Sequence, residues 1–222
     1  MTVNTHHQIT CQEIQLQTPD AILKGDLCIP QNPTGIVLFA HGAGSSRQSP
    51  RNKFVAEILQ QENFATLLMD LLSDDEDRRD TFTGELRFDI PMLAKRVDIA
   101  IKWLLNDNRT AMLPIGCFGA STGAAAALVA SIKFPDTISA IVSRGGRPDL
   151  ADNFLQEVTA PTLLIVGSQD PQVLELNQMA LKKLKSRKKL VIVPGATHLF
   201  EEPGKLDEAA QHAKTWFLQH LK

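Results

Sequence analysis

The 222-residue chain has only three cysteines, Cys11, Cys28 and Cys117. An odd count without paired C-x-x-C spacing fits neither a disulfide scaffold nor a zinc site. Cys11 and Cys28 fall on neighbouring candidate strands, which leaves a bridge geometrically open, but buried reduced thiols are the simpler expectation. No H-E-x-x-H segment exists either, so neither a metal nor a cofactor is expected. Long hydrophobic runs are also missing. The apolar stretches are strand-length, far short of the ~20 residues of a membrane span. The opening MTVNTHHQIT lacks the apolar core of a signal peptide, so the expectation is a cytoplasmic protein with no membrane partner. Excess charge of one sign is absent as well: 23 Lys and Arg against 25 Asp and Glu give a formal net charge of −2. That balance offers no attraction for nucleic acid or an anionic membrane. The one basic run, KKLKSRKK (182–189), reads as a helix end, where cations suit the macrodipole.

What is present suits an ordinary globular protein, with 43 % hydrophobic and 22 % charged residues. A chain of this size buries around 70 % of its unfolded surface and needs no staples. No repeat or linker divides it, so 1–222 reads as one domain. ITCQEIQL (9–16) and ILKGDLCI (22–29), separated by Pro19 and Asp20, predict an antiparallel hairpin. Short apolar strands then alternate with helices. Strands are expected at GIVLFA (35–40), FATLLMDLL (64–72), PIGCFGA (114–120), ISAIVS (138–143), PTLLIVGS (161–168) and KLVIVPG (189–195). Helices are expected near 50–61, 91–106, from Thr122 onward, near 149–156, near 172–184 and near 205–221. Continuous Val/Ile/Leu runs mark strands covered on both faces. The pattern predicts an α/β fold: a mostly parallel sheet of about eight strands, helices on both faces, and an antiparallel hairpin in front.

In an open parallel sheet, ligands bind beyond the carboxyl ends of the strands. Four places there carry chemistry. Gly119-Ala120-Ser121-Thr122-Gly123 is a G-x-S-x-G pentapeptide. Chance alone supplies one in roughly one chain of this length in fifteen, but here it joins a buried strand to an alanine-rich helix, the setting of a nucleophile elbow. A plain N-cap serine is the bland alternative. Asp170 follows the strand LLIVG, as does a carboxylate that orients a histidine, although a turn aspartate before Pro171 would look the same. His198 follows VIVPG and completes the chain order Ser, Asp, His. Of the other histidines, His6 and His7 lie near the terminus and His212 and His220 on the last helix. The loop His41-Gly42-Ala43-Gly44 follows GIVLFA, and its Ala43 amide, with that of Thr122, is the expected oxyanion donor. His41 reads as a hydrogen-bonding member of that loop.

The motifs HGAGSS (41–46), GASTG (119–123), SRGGRPDL (143–150), APTLLIVGSQD (160–170) and PGATHLF (194–200) together resemble the α/β-hydrolase superfamily, and within it the dienelactone-hydrolase-like group. The resemblance spans nearly all of the chain and implies a minimal core without a cap domain. Dienelactone hydrolases proper use a cysteine nucleophile, whereas position 121 is serine. Cys117 does not substitute, because it sits inside the strand. The resemblance therefore implies ester-type chemistry rather than a particular substrate.

The function expected is a serine hydrolase cleaving a carboxylester, lactone or thioester of a small molecule, through Ser121, Asp170 and His198. Arg144, His41 and Gly44 are the candidate substrate-binding residues. Arg144 stands at the catalytic edge, where it could pair with a substrate carboxylate or simply tie loops together. The charged stretch 73–89 is expected as a solvated loop or a short lid. A non-catalytic binding or scaffold protein of the same fold is the competing reading. Nothing fixes the oligomeric state, and a homodimer stays open.

Overall fold

A computed structural model describes residues 8–221. The expected hairpin forms from β1 (Ile9–Gln17) and β2 (Ile22–Pro30). Then come β3 (Gly35–Ala40), α1 (Pro50–Gln61), β4 (Phe64–Met69), α2 (Asp74–Thr83), α3 (Ile90–Asn106), β5 (Ile115–Ala120) and α4 (Thr122–Ser131). The chain closes with β6 (Ile138–Arg144), β7 (Thr162–Gly167), α5 (Pro171–Lys183), β8 (Lys188–Val193) and α6 (Lys205–His220). The eight strands form one sheet in the order β1-β2-β4-β3-β5-β6-β7-β8. Only β1 with β2 and β2 with β4 pair antiparallel; every other pairing is parallel.

The period-2 alternation of strand side chains divides the core into two layers. On β3, Ile36, Leu38 and Ala40 face one layer, while Val37 and Phe39 face the other. The first layer is closed by α3, α4 and Ala180 of α5, through Leu93, Val97, Ile101 and the alanines of α4. The second is closed by Val55 and Leu59 of α1 and by Ala210, Ala213 and Phe217 of α6. Phe217 is fully buried, and truncating such a side chain to alanine costs about 3–5 kcal/mol. Among the described residues, no helix is long and apolar enough to cross a membrane.

Two expectations fail. Cys11 and Cys28 are neither buried nor reduced; they form a disulfide. The hairpin register sets them directly opposite each other, with Cα atoms 4.1 Å apart. Cys117 is buried and free, and burial pushes its thiol up to about 12. The stretch 73–89 is not a solvated loop. It folds as α2 followed by a 3-10 turn, Leu86–Phe88. Its start is a capping box. Ser73 Oγ accepts from Glu76 N–H at 3.3 Å, and Glu76 accepts from Ser73 N–H at 2.8 Å. Gly84, at φ +67°, ends the helix in the left-handed conformation. Buried Asp80 then folds the following turn back, accepting from Leu86 N–H at 2.7 Å and Arg87 Nε at 2.6 Å.

Candidate active site

Ser121 sits between β5 and α4 at φ 49°, ψ −124°, a conformation that L-residues rarely adopt. Its side chain makes no capping hydrogen bond to the helix below it, which removes the plain N-cap reading. The surrounding chain holds the strained turn in place: Ser121 C=O accepts from Ala124 N–H at 3.1 Å and Arg147 N–H at 3.0 Å. Two glycines make the turn sterically accessible. A Cβ on Gly123 would lie 2.2 Å from Ala40 O, and one on Gly42 would lie 2.7 Å from Ser121 Cβ. The alanine-rich face of α4 and these glycines let helix, elbow and β3 loop approach at backbone distance.

Asp170 and His198 leave the adjacent parallel strands β7 and β8. Their loops are fastened together by Gln169 N–H to Ala196 O at 2.9 Å and Gly195 N–H to Ser168 Oγ at 2.8 Å. His198 Nδ1 donates to Asp170 Oδ2 at 2.6 Å, which leaves Nε2 free to act as a base. Ser121 and His198 line one pocket of about 190 Å³, together with Ala43 of the β3 loop. Thr122 is the first residue of α4, so its N–H has no acceptor within the helix. The Ser121, His198 and Asp170 positions expected from strand ends are thus neighbours.

The three candidate substrate contacts separate. Arg144 lines the Ser121 pocket; His41 and Gly44 do not. His41 is buried, and desolvation pushes its pKa down, against the raising effect of the Gly42 carbonyl and of Asp70 and Asp77. Its Nδ1 donates to Gly42 O at 2.9 Å and its Nε2 accepts Leu71 N–H at 2.9 Å, so the ring is neutral and structural. Gly44 lies in the left-handed region at φ +67° and lines a small second recess that shares Ala43 with the Ser121 pocket and is also lined by Thr122, Asp77 and Arg87. No residue of 73–89 lines the Ser121 pocket. Arg51 and Asn52, from the first turn of α1, do line it, although they follow the β3 loop by several residues and so lie away from any strand end. One signal was available: an arginine in a first helical turn opposes the helix dipole and calls for an explanation.

The dienelactone hydrolase family model matches residues 23–221. The chain belongs to the dienelactone hydrolase family. A crystal structure of a dienelactone hydrolase from Anabaena variabilis is 53 % identical, covers 97 % of this chain and 100 % of its own, and superposes with a TM-score of 0.94. Est1E from Butyrivibrio proteoclasticus shares the fold at 18 % identity and a TM-score of 0.78, over 93 % of this chain and 98 % of its own. Two Mycobacterium tuberculosis proteins, provisionally named phosphoribosyl transferases, are 51 % identical over 210 residues. The match covers 95 % of this chain but only 46 % of theirs, so the chain spans about half the length of these curated relatives. The family assignment and the hydrolase fold of its members agree with the eight-stranded sheet and its hairpin.

Proposed function

We propose that the protein is a serine hydrolase that cleaves a carboxylester, lactone or thioester bond of a small molecule through an acyl-enzyme on Ser121. The observation that carries this reading is the Ser121 backbone. A serine held at φ 49° without a capping role is stored strain, and such strain concentrates at functional sites. His198 Nε2 takes the Ser121 hydroxyl proton as Oγ attacks the carbonyl carbon. The amides of Ala43 and Thr122 hold the tetrahedral oxyanion. The bond to the leaving alcohol or thiol then breaks, and that group departs with the proton from His198. Water attacks the acyl-serine in the second step, giving its proton to His198 and then to Ser121 as the acid leaves. Asp170 remains ionised, holding the imidazole tautomer and stabilising its cation.

The transferase name of the M. tuberculosis relatives does not argue against this reading. The half of those proteins that this chain matches is the half that shares its family, and we assign the transferase name to the remainder. A cytoplasmic location sits uneasily beside the Cys11–Cys28 disulfide, since reducing compartments disfavour such bonds. The functional test is labelling by a fluorophosphonate probe together with turnover of short-chain esters. Both should be lost in Ser121→Ala. Undiminished turnover by that variant would overturn the serine mechanism, and absence of both in the wild-type protein would favour a non-catalytic binding role.

A further inference from the structure

The loop that carries Ala43 leaves β3 at His41 and enters α1 at Pro50. Its own backbone supplies two turn bonds, Ser45 N–H to Gly42 O at 3.2 Å and Ser49 N–H to Ser46 O at 3.0 Å. Neither ties the loop to the sheet. Two side chains do that. At the entry, His41 Nε2 accepts Leu71 N–H at 2.9 Å. Further along, Asp70 accepts twice from Arg47: the backbone N–H reaches Oδ1 at 2.7 Å, and Nη1 reaches Oδ2 at 2.6 Å. Asp70 and Leu71 are consecutive residues just past β4, the strand beside β3. Both ends of the turn that holds Ala43 are thus fastened to one point of the sheet edge.

Arg47 reaches beyond Asp70. Its Nη2 donates to Glu13 of β1 at 2.7 Å and its Nε to Asp26 of β2 at 3.1 Å. Glu13 and Asp26 stand directly opposite each other in the hairpin register, a like-charge pairing that destabilises a sheet unless a cation joins it. The Cys11–Cys28 bridge is the next pair along on the same face and holds these strands together. One guanidinium, its side chain only 13 % exposed, therefore answers three carboxylates with three separate nitrogens. Arg47 does not line the Ser121 pocket, so any effect on the reaction passes through the loop.

We propose that Arg47 is a positioning residue for the oxyanion site. By clamping Glu13, Asp26 and Asp70 it fixes the Gly42–Ser46 turn, and with it the Ala43 amide, beside Ser121. This rests on the hydrolase reading and extends it, since the hairpin β1–β2 becomes the base on which the oxyanion loop is mounted.

Two probes with the same acyl group test it: p-nitrophenyl butyrate as substrate and 1,1,1-trifluoropentan-2-one as inhibitor. Ser121 Oγ adds to the ketone carbon, its proton passes to His198, and the carbonyl oxygen becomes an oxyanion like that of the reaction. A shift of about 1 Å in a catalytic group costs on the order of a hundredfold, as does loss of one oxyanion donor. Arg47→Gln should therefore lower kcat by about ten- to a hundredfold with KM within about twofold, and should weaken the ketone Ki by a similar factor. A merely structural role would lower kcat by reducing the folded fraction and would leave Ki where it was. Arg47→Lys, which keeps the charge without the planar fork, should recover part of both losses. If Arg47→Gln fails to fold, Asp70→Asn decides, because it keeps the side-chain size and removes the charge that Nη1 meets. An unchanged Ki in the folded variant overturns the proposal. Deuterium uptake of peptides spanning 41–49 separates it from the hydrolase reading. If the wild-type protein turns over no ester, that reading fails; faster uptake in the variant than in the wild type still upholds the anchoring of the loop, and equal uptake overturns it.

Discussion

His198 Nδ1 and Asp170 Oδ2 meet at 2.6 Å across two loops that leave neighbouring parallel strands. The contact joins residues 28 positions apart, and it exists because β7 and β8 end in register, Gly167 opposite Val193. A Cβ on Gly167 would fall 2.2 Å from Ala196 O, so the glycine is what lets the two loops close on each other. The donated Nδ1 proton fixes the imidazole with Nε2 as its free basic nitrogen.

Replacing Asp170 by Asn should therefore leave the fold intact and disable the base. An amide can orient the ring in the wrong tautomer, and losses of about 10³–10⁴ in kcat are typical of that change. Steady-state kinetics beside a thermal melt check it; a loss under tenfold would remove Asp170 from the mechanism.

Ser121→Gly and Ser121→Ala should both be inactive but differ in stability. Alanine keeps the Cβ that makes φ 49° costly, whereas glycine tolerates positive φ. Such strain amounts to about 1–3 kcal/mol, so the glycine variant should unfold at higher urea than the alanine variant. Equal midpoints would mean that the turn stores little strain.

Gly123 and Gly84 should both be destabilised by alanine, but to very different extents. At Gly123 the new methyl would meet the carbonyl oxygens of Ala40 and His41 at 2.2 and 2.3 Å, and neither strand nor helix can retreat without opening the core. Gly123→Ala should cost more than about 3 kcal/mol or prevent folding. Gly84 sits at φ +67° with nothing within 4 Å of an added Cβ, so Gly84→Ala should cost only about 1 kcal/mol. Chemical denaturation of both variants measures the contrast.

His41 should make folding sensitive to acid. Burial holds its folded pKa below the ordinary value of 6.5, so the neutral ring is the folded form. Above pH 6.5 both states are neutral and the full contribution is present. As pH falls below that value the unfolded chain takes up the proton first, and stability is lost until the folded pKa is reached. Urea midpoints between pH 8 and 5 should drop more steeply for the wild-type protein than for His41→Asn. Parallel pH profiles would show that another group dominates.

The cysteines should divide two and one. Alkylation of the denatured, unreduced protein should modify Cys117 alone, and prior reduction should expose all three. Native protein should resist alkylation, since Cys117 is buried and its thiol is pushed up to about 12. Intact-mass measurement counts the adducts; three adducts without reductant would exclude the bridge.

Much of this architecture was legible because its signals are local. The mostly apolar runs at 35–40, 64–72, 114–120 and 161–168 are short and do not alternate, so they could be read as doubly covered strands, and the hairpin at 9–29 showed its alternation directly. Residues at strand ends share one edge of a parallel sheet whatever the strand order, which is why Ser121, Asp170 and His198 could be chosen before their neighbours were known. The capping box Ser73–Glu76 was equally local, yet the charge density of 74–80 obscured it; buried Arg96, with Nη1 2.9 Å and Nη2 2.5 Å from the Glu76 carboxylate, neutralises part of that charge from α3.

The sequence by itself determined the order of the strands and of every helix but α2, the glycines of the elbow and the order of the three candidate catalytic residues, since each follows from periodicity and backbone sterics along a short stretch of chain. Only the tertiary structure decided what depends on distant neighbours. It decided that Cys11 faces Cys28 across the hairpin and that Arg51 of α1 lines the same pocket as Arg144 of β6. Burial and charge pairing are properties of residues brought together in space, and no periodicity in the chain records which side chain will lack a counterion.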